Sequence, residues 1–365
     1  MINITIVAGA RPNFMKIAPI LKAIQDKKET GTAINFRLVH TGQHYDKKMS
    51  GDFFEQLNIP EPDINLEAGG GSQAEQTAAI MVAFEKELLA NRPDLVIVVG
   101  DVTSTLACSI AAKKLVIDVA HVEGGIRSGD MSMPEEVNRI VTDSITDHFF
   151  TTSEVANQHL KYVGVAEDRI HFVGNTMIDT LLSNQDRFMS PVGEMFDDLK
   201  PKNYFVMTMH RPANVDGEHQ LKALIDAIMM GTGSFPVIFP VHPRTAKNLE
   251  KIGIRHARLR MVEPLSYLEF NYLVKNALGV ITDSGGITEE ASVMNVPCIT
   301  MRNNTERPET VTLGTNELIG INPANLKAPL EKLLKGKWKS YKGIPLWDGK
   351  AAERIVDKII EIYEL

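Results

Sequence analysis

"LGVITDSGGITEEASVMNVP", residues 278–297, decides the fold. A short apolar run leads through Asp283, Ser284 and two glycines into a helical pattern. Strand, Gly-containing loop and helix in that order make up the first part of a βαβ unit. The stretch has the outline of a phosphate loop. Yet no lysine follows the glycines, and there is no GxGxxG. Two carboxylates, Glu289 and Glu290, instead read as the first turn of the helix.

The same pattern recurs along the chain. "NITIVAGARPNFMKIAPILKAIQ" (3–25), "LVIVVGDVTSTLACSIAAKKL" (95–115) and "YFVMTMHRPANVDGEHQLKALIDAI" (204–228) each read as strand, loop and helix. Strands alternating with helices predict an α/β protein with parallel sheets covered on both faces. A polar stretch at 183–203 interrupts the series, which restarts at Tyr204. At 365 residues the chain exceeds what one core usually organises. Two Rossmann-like domains are therefore predicted, 1–175 and 176–349. The C-terminal "WDGKAAERIVDKIIEIYEL" reads as an amphipathic helix, with Ile355, Ile359, Ile360 and Tyr363 on one stripe and Asp348 as its N-cap.

The formal net charge of −7 argues against general nucleic-acid or anionic-membrane binding. No apolar run approaches the roughly 20 residues of a membrane span. The start "MINITIVAGARPNF" lacks the basic region and long apolar run of a signal peptide, so a cytoplasmic protein is expected. Cys108 and Cys298 lie in apolar surroundings and read as buried free thiols.

In open parallel sheets ligands bind at the carboxyl ends of the strands, so the loops after the apolar runs are the places to search. The first, "AGARPNFMK", puts Arg11 and Lys16 near a helix N-terminus, where cations are unfavourable unless they meet an anion. Asp101 follows a strand, either to cap the next helix or to act on substrate. Glu123 ends another strand beside Gly124 and Gly125. Arg127 follows, and Pro134 then precedes Glu135 and Glu136. Carboxylates at several strand ends suit acid/base work in which two protonation roles are kept apart. In the second half His210 and Arg211 follow one strand, and His242 and Arg244 another. Phe270 reads as either a base-stacking or a core aromatic. Glu306 and Arg307 read as a ribose or phosphate contact or a surface ion pair. His40 and His44 have HxxxH spacing but leave a strand through Thr41 and Gly42, so no metal site is expected.

Together, "GARPNFMKIAP", "TGQHYD", "GDVTST", "HVEGGIRSGDMSMPEEVNR", "HRPANVD", "TDSGGITEEA" and "TERPET" resemble the non-hydrolysing UDP-N-acetylglucosamine 2-epimerases over nearly the whole chain. The resemblance implies two Rossmann-like domains facing across a cleft, the GT-B arrangement. It also implies that the C-terminal helix, residues 350–365, crosses back to the first domain. It implies inversion at C2 of a UDP-sugar without a cofactor, by anti elimination of UDP to 2-acetamidoglucal and syn re-addition. A cytoplasmic homodimer serving cell-surface polysaccharide synthesis is implied as well. By position, Asp101, Glu123, Glu135 and His210 match the family's catalytic group. Arg11, Lys16, Arg127, Arg211 and His242 match substrate-side positions. Ser284, Gly285 and Gly286 match the diphosphate cradle, Glu290 the ribose acceptor, Phe270 the uracil contact and Arg307 another nucleotide contact. Glu289 is left to complement the helix dipole.

The chain departs from the family pattern at Asn13 (commonly Glu), at Pro212 and Ala213 in "HRPAN", at Gly124 and at Thr288. Substrate-activated members use Gln43 with a second glutamine three residues on. That position is Asp46 here, so such activation is not expected. "GARP" and "HPRT" also resemble relatives acting on UDP-2,3-diacetamido-glucuronate. A GT-B glycosyltransferase, a hydrolysing epimerase and a UDP-sugar sensor are the other readings.

Overall fold

The computed structural model describes residues 1–42, 54–241 and 243–364. The chain divides into two compact units, Met1–Ser183 with Pro345–Leu365, and Asn184–Ile344. In the first, the described strands are β1 (Ile2–Ala8), β2 (Ile34–His40), β3 (Ile64–Asn65), β4 (Leu95–Val99), β5 (Asp118–Val122), β6 (His148–Thr151) and β7 (Ile170–Phe172). All pairings are parallel, in the order β3-β2-β1-β4-β5-β6-β7. Every residue of β4, "LVIVV", is buried. An unbroken apolar run is what a central strand covered on both faces requires.

The second unit holds β8 (Phe205–Thr208), β9 (Val237–Pro240), β10 (Leu259–Val262), β11 (Gly279–Thr282), β12 (Cys298–Thr300) and β13 (Asn316–Leu318). They are parallel in the order β10-β9-β8-β11-β12-β13. This is the Rossmann order. The strand order reverses between β1 and β4 in one sheet and between β8 and β11 in the other. These are the switch points at which such sheets bind ligands. Both units are therefore α/β with parallel sheets.

The C-terminal helix, Ala351–Ile362, belongs to the first unit and buries Ile355, Val356 and Ile359 there. It lies along the helix Arg11–Glu29, where Lys27 and Asp357 pair at 2.6 Å. Asp348 is not its cap. Lys350 holds that position, and the amides of Ala351 and Ala352 donate to Asp179 at 3.1 and 2.7 Å. Asp348 pairs with Arg354 instead. The helix Thr176–Asn184, which carries Asp179, is also tied to the first unit by Thr180 Oγ1 donating to Met15 O at 2.5 Å. The units thus divide at 183/184, eight residues beyond the expected 175/176. Cys108 and Cys298 are buried and free. Among the described residues, no helix is long and apolar enough to cross a membrane.

Candidate functional site

At the first switch point β1 turns sharply into its helix. A Cβ on Gly9 would lie 2.0 Å from Ser104 Oγ, so only glycine fits there. Asn13 is buried beneath this turn. Its Oδ1 accepts from the amides of Gly9 and Ala10, each at 3.1 Å, and its Nδ2 donates to Val99 O at 3.1 Å. An amide side chain can accept on one side and donate on the other, which an ionised glutamate cannot. The Asn at this position thus joins β1 to β4.

Lys16 lies one turn along the same helix, and its Nζ bonds Glu123 Oε2 at 2.6 Å. Glu123 is buried, and its backbone sits at φ 72°, an uncommon conformation for a residue with a side chain. Its amide donates to Phe150 O at 2.9 Å, which ties the turn to β6. Strain of this kind concentrates at functional sites.

Asp101 does not cap the following helix, Thr103–Lys114, whose N-cap is Val102. Its carboxylate pairs with Arg139, and its carbonyl accepts from Asn138 Nδ2 at 2.8 Å. Both partners belong to the helix Pro134–Ile145, which opens with Pro134, Glu135 and Glu136. Glu135 is half-buried. Glu136 is buried and accepts from the amides of Ser128 and Gly129 at 2.8 and 3.0 Å, from Ser128 Oγ and from Arg139. Burial pushes its carboxyl upward, but these hydrogen bonds outweigh that and hold it below the usual value. Glu136 is thus the residue that shapes the 128–129 loop, and Glu135 is the one without such a task.

At the second switch point Thr208 and Thr282 bond side chain to side chain at 2.6 Å. Asp283 then turns back under the loop after β8. It is fully buried and accepts from the amides of His210 and Arg211, from Asn214 Nδ2, and from His210 Nδ1 at 2.9 Å. Burial raises its carboxyl, but the bonds led by His210 lower it further. The His210 ring is 63% exposed, so its other nitrogen faces outward from this anchor. Arg211 Nε donates to Asp283 O, joining the two loops.

Ser284 is the N-cap residue of the helix Gly285–Val293, and its side chain makes no capping bond. Glu289 and Glu290 are in the second turn, not the first as the sequence suggested. Nor does Glu289 serve the helix dipole. It is buried and paired with Arg307. Glu290 accepts from Tyr267 OH at 3.0 Å, and burial pushes its carboxyl up to about 7. Phe270 stands inside the helix Tyr267–Asn276, rather than at its start, and packs half-buried against the core. Glu306 forms a bidentate pair with Arg302, both oxygens at 2.7 Å.

Three expectations have little or no geometry to meet. The Arg11 side chain, His242, and Gln43, His44 and Asp46 lie outside the described residues. His40 is buried, accepts from the Gly42 amide at 2.8 Å and stacks on Phe14. Arg127 is held by Asp143 at 2.6 Å. Sequence reasoning missed Asp143, His121 and Asp283. Asp283 had a visible signal, a carboxylate between a buried strand and two glycines. Asp143 and His121 had none, because their pairing spans 22 residues.

The family model described as "UDP-N-acetylglucosamine 2-epimerase" matches residues 26–360. A UDP-N-acetylglucosamine 2-epimerase of Methanocaldococcus jannaschii is 41% identical, over 97% of this chain and 98% of its own. A UDP-2,3-diacetamido-2,3-dideoxy-D-glucuronate 2-epimerase of Pseudomonas aeruginosa is 36% identical over 99% of this chain and 100% of its own. The crystal structure of the Methanocaldococcus jannaschii UDP-GlcNAc 2-epimerase in complex with UDP-GlcNAc and UDP aligns with a TM-score of 0.87 at 40% identity, covering 98% of this chain and 99% of that one. Two parallel Rossmann-like sheets, carboxylates at the edge of one and a glycine loop at the edge of the other agree with these matches: the chain belongs to the UDP-N-acetylglucosamine 2-epimerase family.

Proposed function

We propose that the protein interconverts UDP-GlcNAc and UDP-ManNAc by inverting C2. In the first step C2 loses its proton and the C1–O bond to the diphosphate breaks. UDP leaves with that electron pair, and 2-acetamidoglucal forms. In the second, a proton is delivered to the other face of C2 and the diphosphate oxygen re-attacks C1. The C2 proton is not next to a carbonyl, so the departing diphosphate must first create positive character at C1. The site therefore needs carboxylates at the sugar and donors at the phosphates.

The observation that supports this reading best is the joining of three carboxylate-bearing segments at one sheet edge. Asp101 is bonded to the helix that carries Glu135, and Glu123 is held in a strained turn against Lys16. We assign Asp101, Glu123 and Glu135 to proton transfer at C2 and to stabilising the cationic sugar. Lys16 Nζ, 2.6 Å from Glu123 Oε2, fixes that carboxyl in place. His210, anchored through Nδ1, presents Nε2 to the leaving diphosphate. Ser284, Gly285 and Gly286 offer hydroxyl and amide donors at a helix N-terminus. Glu290 takes the ribose hydroxyls and Phe270 contacts the uracil. Arg127 and Arg307 are each engaged by a buried carboxylate, so we assign them to holding loops.

The 36% identity to a UDP-2,3-diacetamido-glucuronate 2-epimerase favours a second substrate. Proton and phosphorus NMR on a panel of UDP-HexNAc sugars separates the readings. Reversible UDP-GlcNAc to UDP-ManNAc conversion without acceptor and without accumulation of free UDP is expected. Stoichiometric free UDP would indicate hydrolysis, and a requirement for an acceptor would indicate a transferase. A homodimer is part of the same proposal, and light scattering tests it.

A further inference from the structure

His121 lies on β5, two residues before Glu123, and is fully buried. Its Nε2 is 2.7 Å from the main-chain oxygen of Gly100, the residue before Asp101. Its Nδ1 is 2.7 Å from Asp143 Oδ1. A carbonyl oxygen only accepts, so Nε2 carries a proton. The other Asp143 oxygen faces two donors, the Gly125 amide at 3.0 Å and Arg127 Nη1 at 2.6 Å. Asp143 therefore meets the ring with one oxygen and the turn after Glu123 with the other.

Each arm of this pair ends on a segment that carries a proposed proton-transfer group. Gly100 leads into Asp101. Gly125 and Arg127 follow Glu123. Asp143 is on the helix Pro134–Ile145, which carries Glu135 and grips Asp101 through Asn138 and Arg139. We infer that His121 and Asp143 form a buried clamp of positioning residues that sets the spacing of Asp101, Glu123 and Glu135. The clamp contributes to the rate of the C2 step and not to nucleotide affinity. This inference rests on the proposed epimerase reading. Two replacements break it. Alanine at 143 removes the acceptor that His121, the Gly125 amide and Arg127 share. Asparagine at 121 is too short to reach both acceptors.

The test compares His121→Asn and Asp143→Ala with the parent enzyme. Displacing reacting groups by about 1 Å costs roughly 10²-fold, so kcat should fall by that order while KM and the UDP Kd stay within about twofold. In an Asp101→Asn background, His121→Asn should cost less than in the parent, because one of the three groups it positions is already removed. Unchanged kcat in folded variants, a loss carried by KM or UDP affinity, or a full multiplicative cost in the double variant would each overturn the clamp. Should the variants not fold, NMR of the parent protein with 15N-labelled histidine decides the matter. One histidine with its Nε2 proton held and protected from exchange is expected, and its absence would overturn the inference. If no UDP-sugar is turned over, the epimerase reading fails while this NMR result still reports on the clamp.

Discussion

Glu290 offers a prediction in which stability and binding move in opposite directions. Burial raises its carboxyl from 4.5 to about 7, while its bond to Tyr267 opposes the rise only in part. A carboxyl with a raised pKa binds more protons folded than unfolded between those two values. Its ionisation therefore destabilises the fold progressively as pH rises from about 4.5 through about 7. At 1.36 kcal/mol per unit, the cost is about 1 kcal/mol at pH 5 and about 3 kcal/mol at pH 8. Glu290→Gln keeps an oxygen for Tyr267 OH and removes the charge. The variant should therefore gain about 2 kcal/mol relative to the parent between pH 5 and pH 8, read by urea melts at both values. UDP binding should behave oppositely. If the ionised form accepts the ribose hydroxyls, the parent Kd should weaken about tenfold from pH 8 to pH 6, and the Gln variant should lose this dependence. A stability difference independent of pH would refute the argument that Glu290 is a buried carboxyl charged at a cost. A pH-independent parent Kd would refute its ribose role.

Other perturbations test neighbouring parts of the account. Glu123→Gln and Asp101→Asn should slow turnover by about 10²–10⁴-fold and leave UDP affinity near that of the parent in calorimetry. Lys16→Met leaves the Glu123 carboxylate buried without its cation, and breaking such a pair typically costs about 3–5 kcal/mol, visible as a lowered urea midpoint. Asp179→Ala removes the acceptor of two amides at the start of the C-terminal helix and should cost about 1 kcal/mol in the same assay.

The fold was legible because the apolar runs that become β1, β4, β8 and β11 are short, buried on both faces and followed by helical periodicity. Less legible was the internal wiring at the strand ends. Glu289 and Glu290 are adjacent and identical in sequence, yet one is paired with Arg307 and the other bonded to Tyr267. Glu135 and Glu136 divide in the same way. Periodicity places such residues on a helix but does not say which one meets a partner far along the chain. The C-terminal helix shows the same limit. Its apolar stripe was readable, whereas the cap that starts it comes from Asp179, across 172 residues.

The central claim is that the C2 proton leaves and returns. Incubation with UDP-GlcNAc in D₂O, followed by proton NMR and mass spectrometry, tests it directly. The account predicts UDP-ManNAc carrying one deuterium at C2, with no oxidised sugar intermediate. Epimerised product retaining the original C2 hydrogen would contradict it.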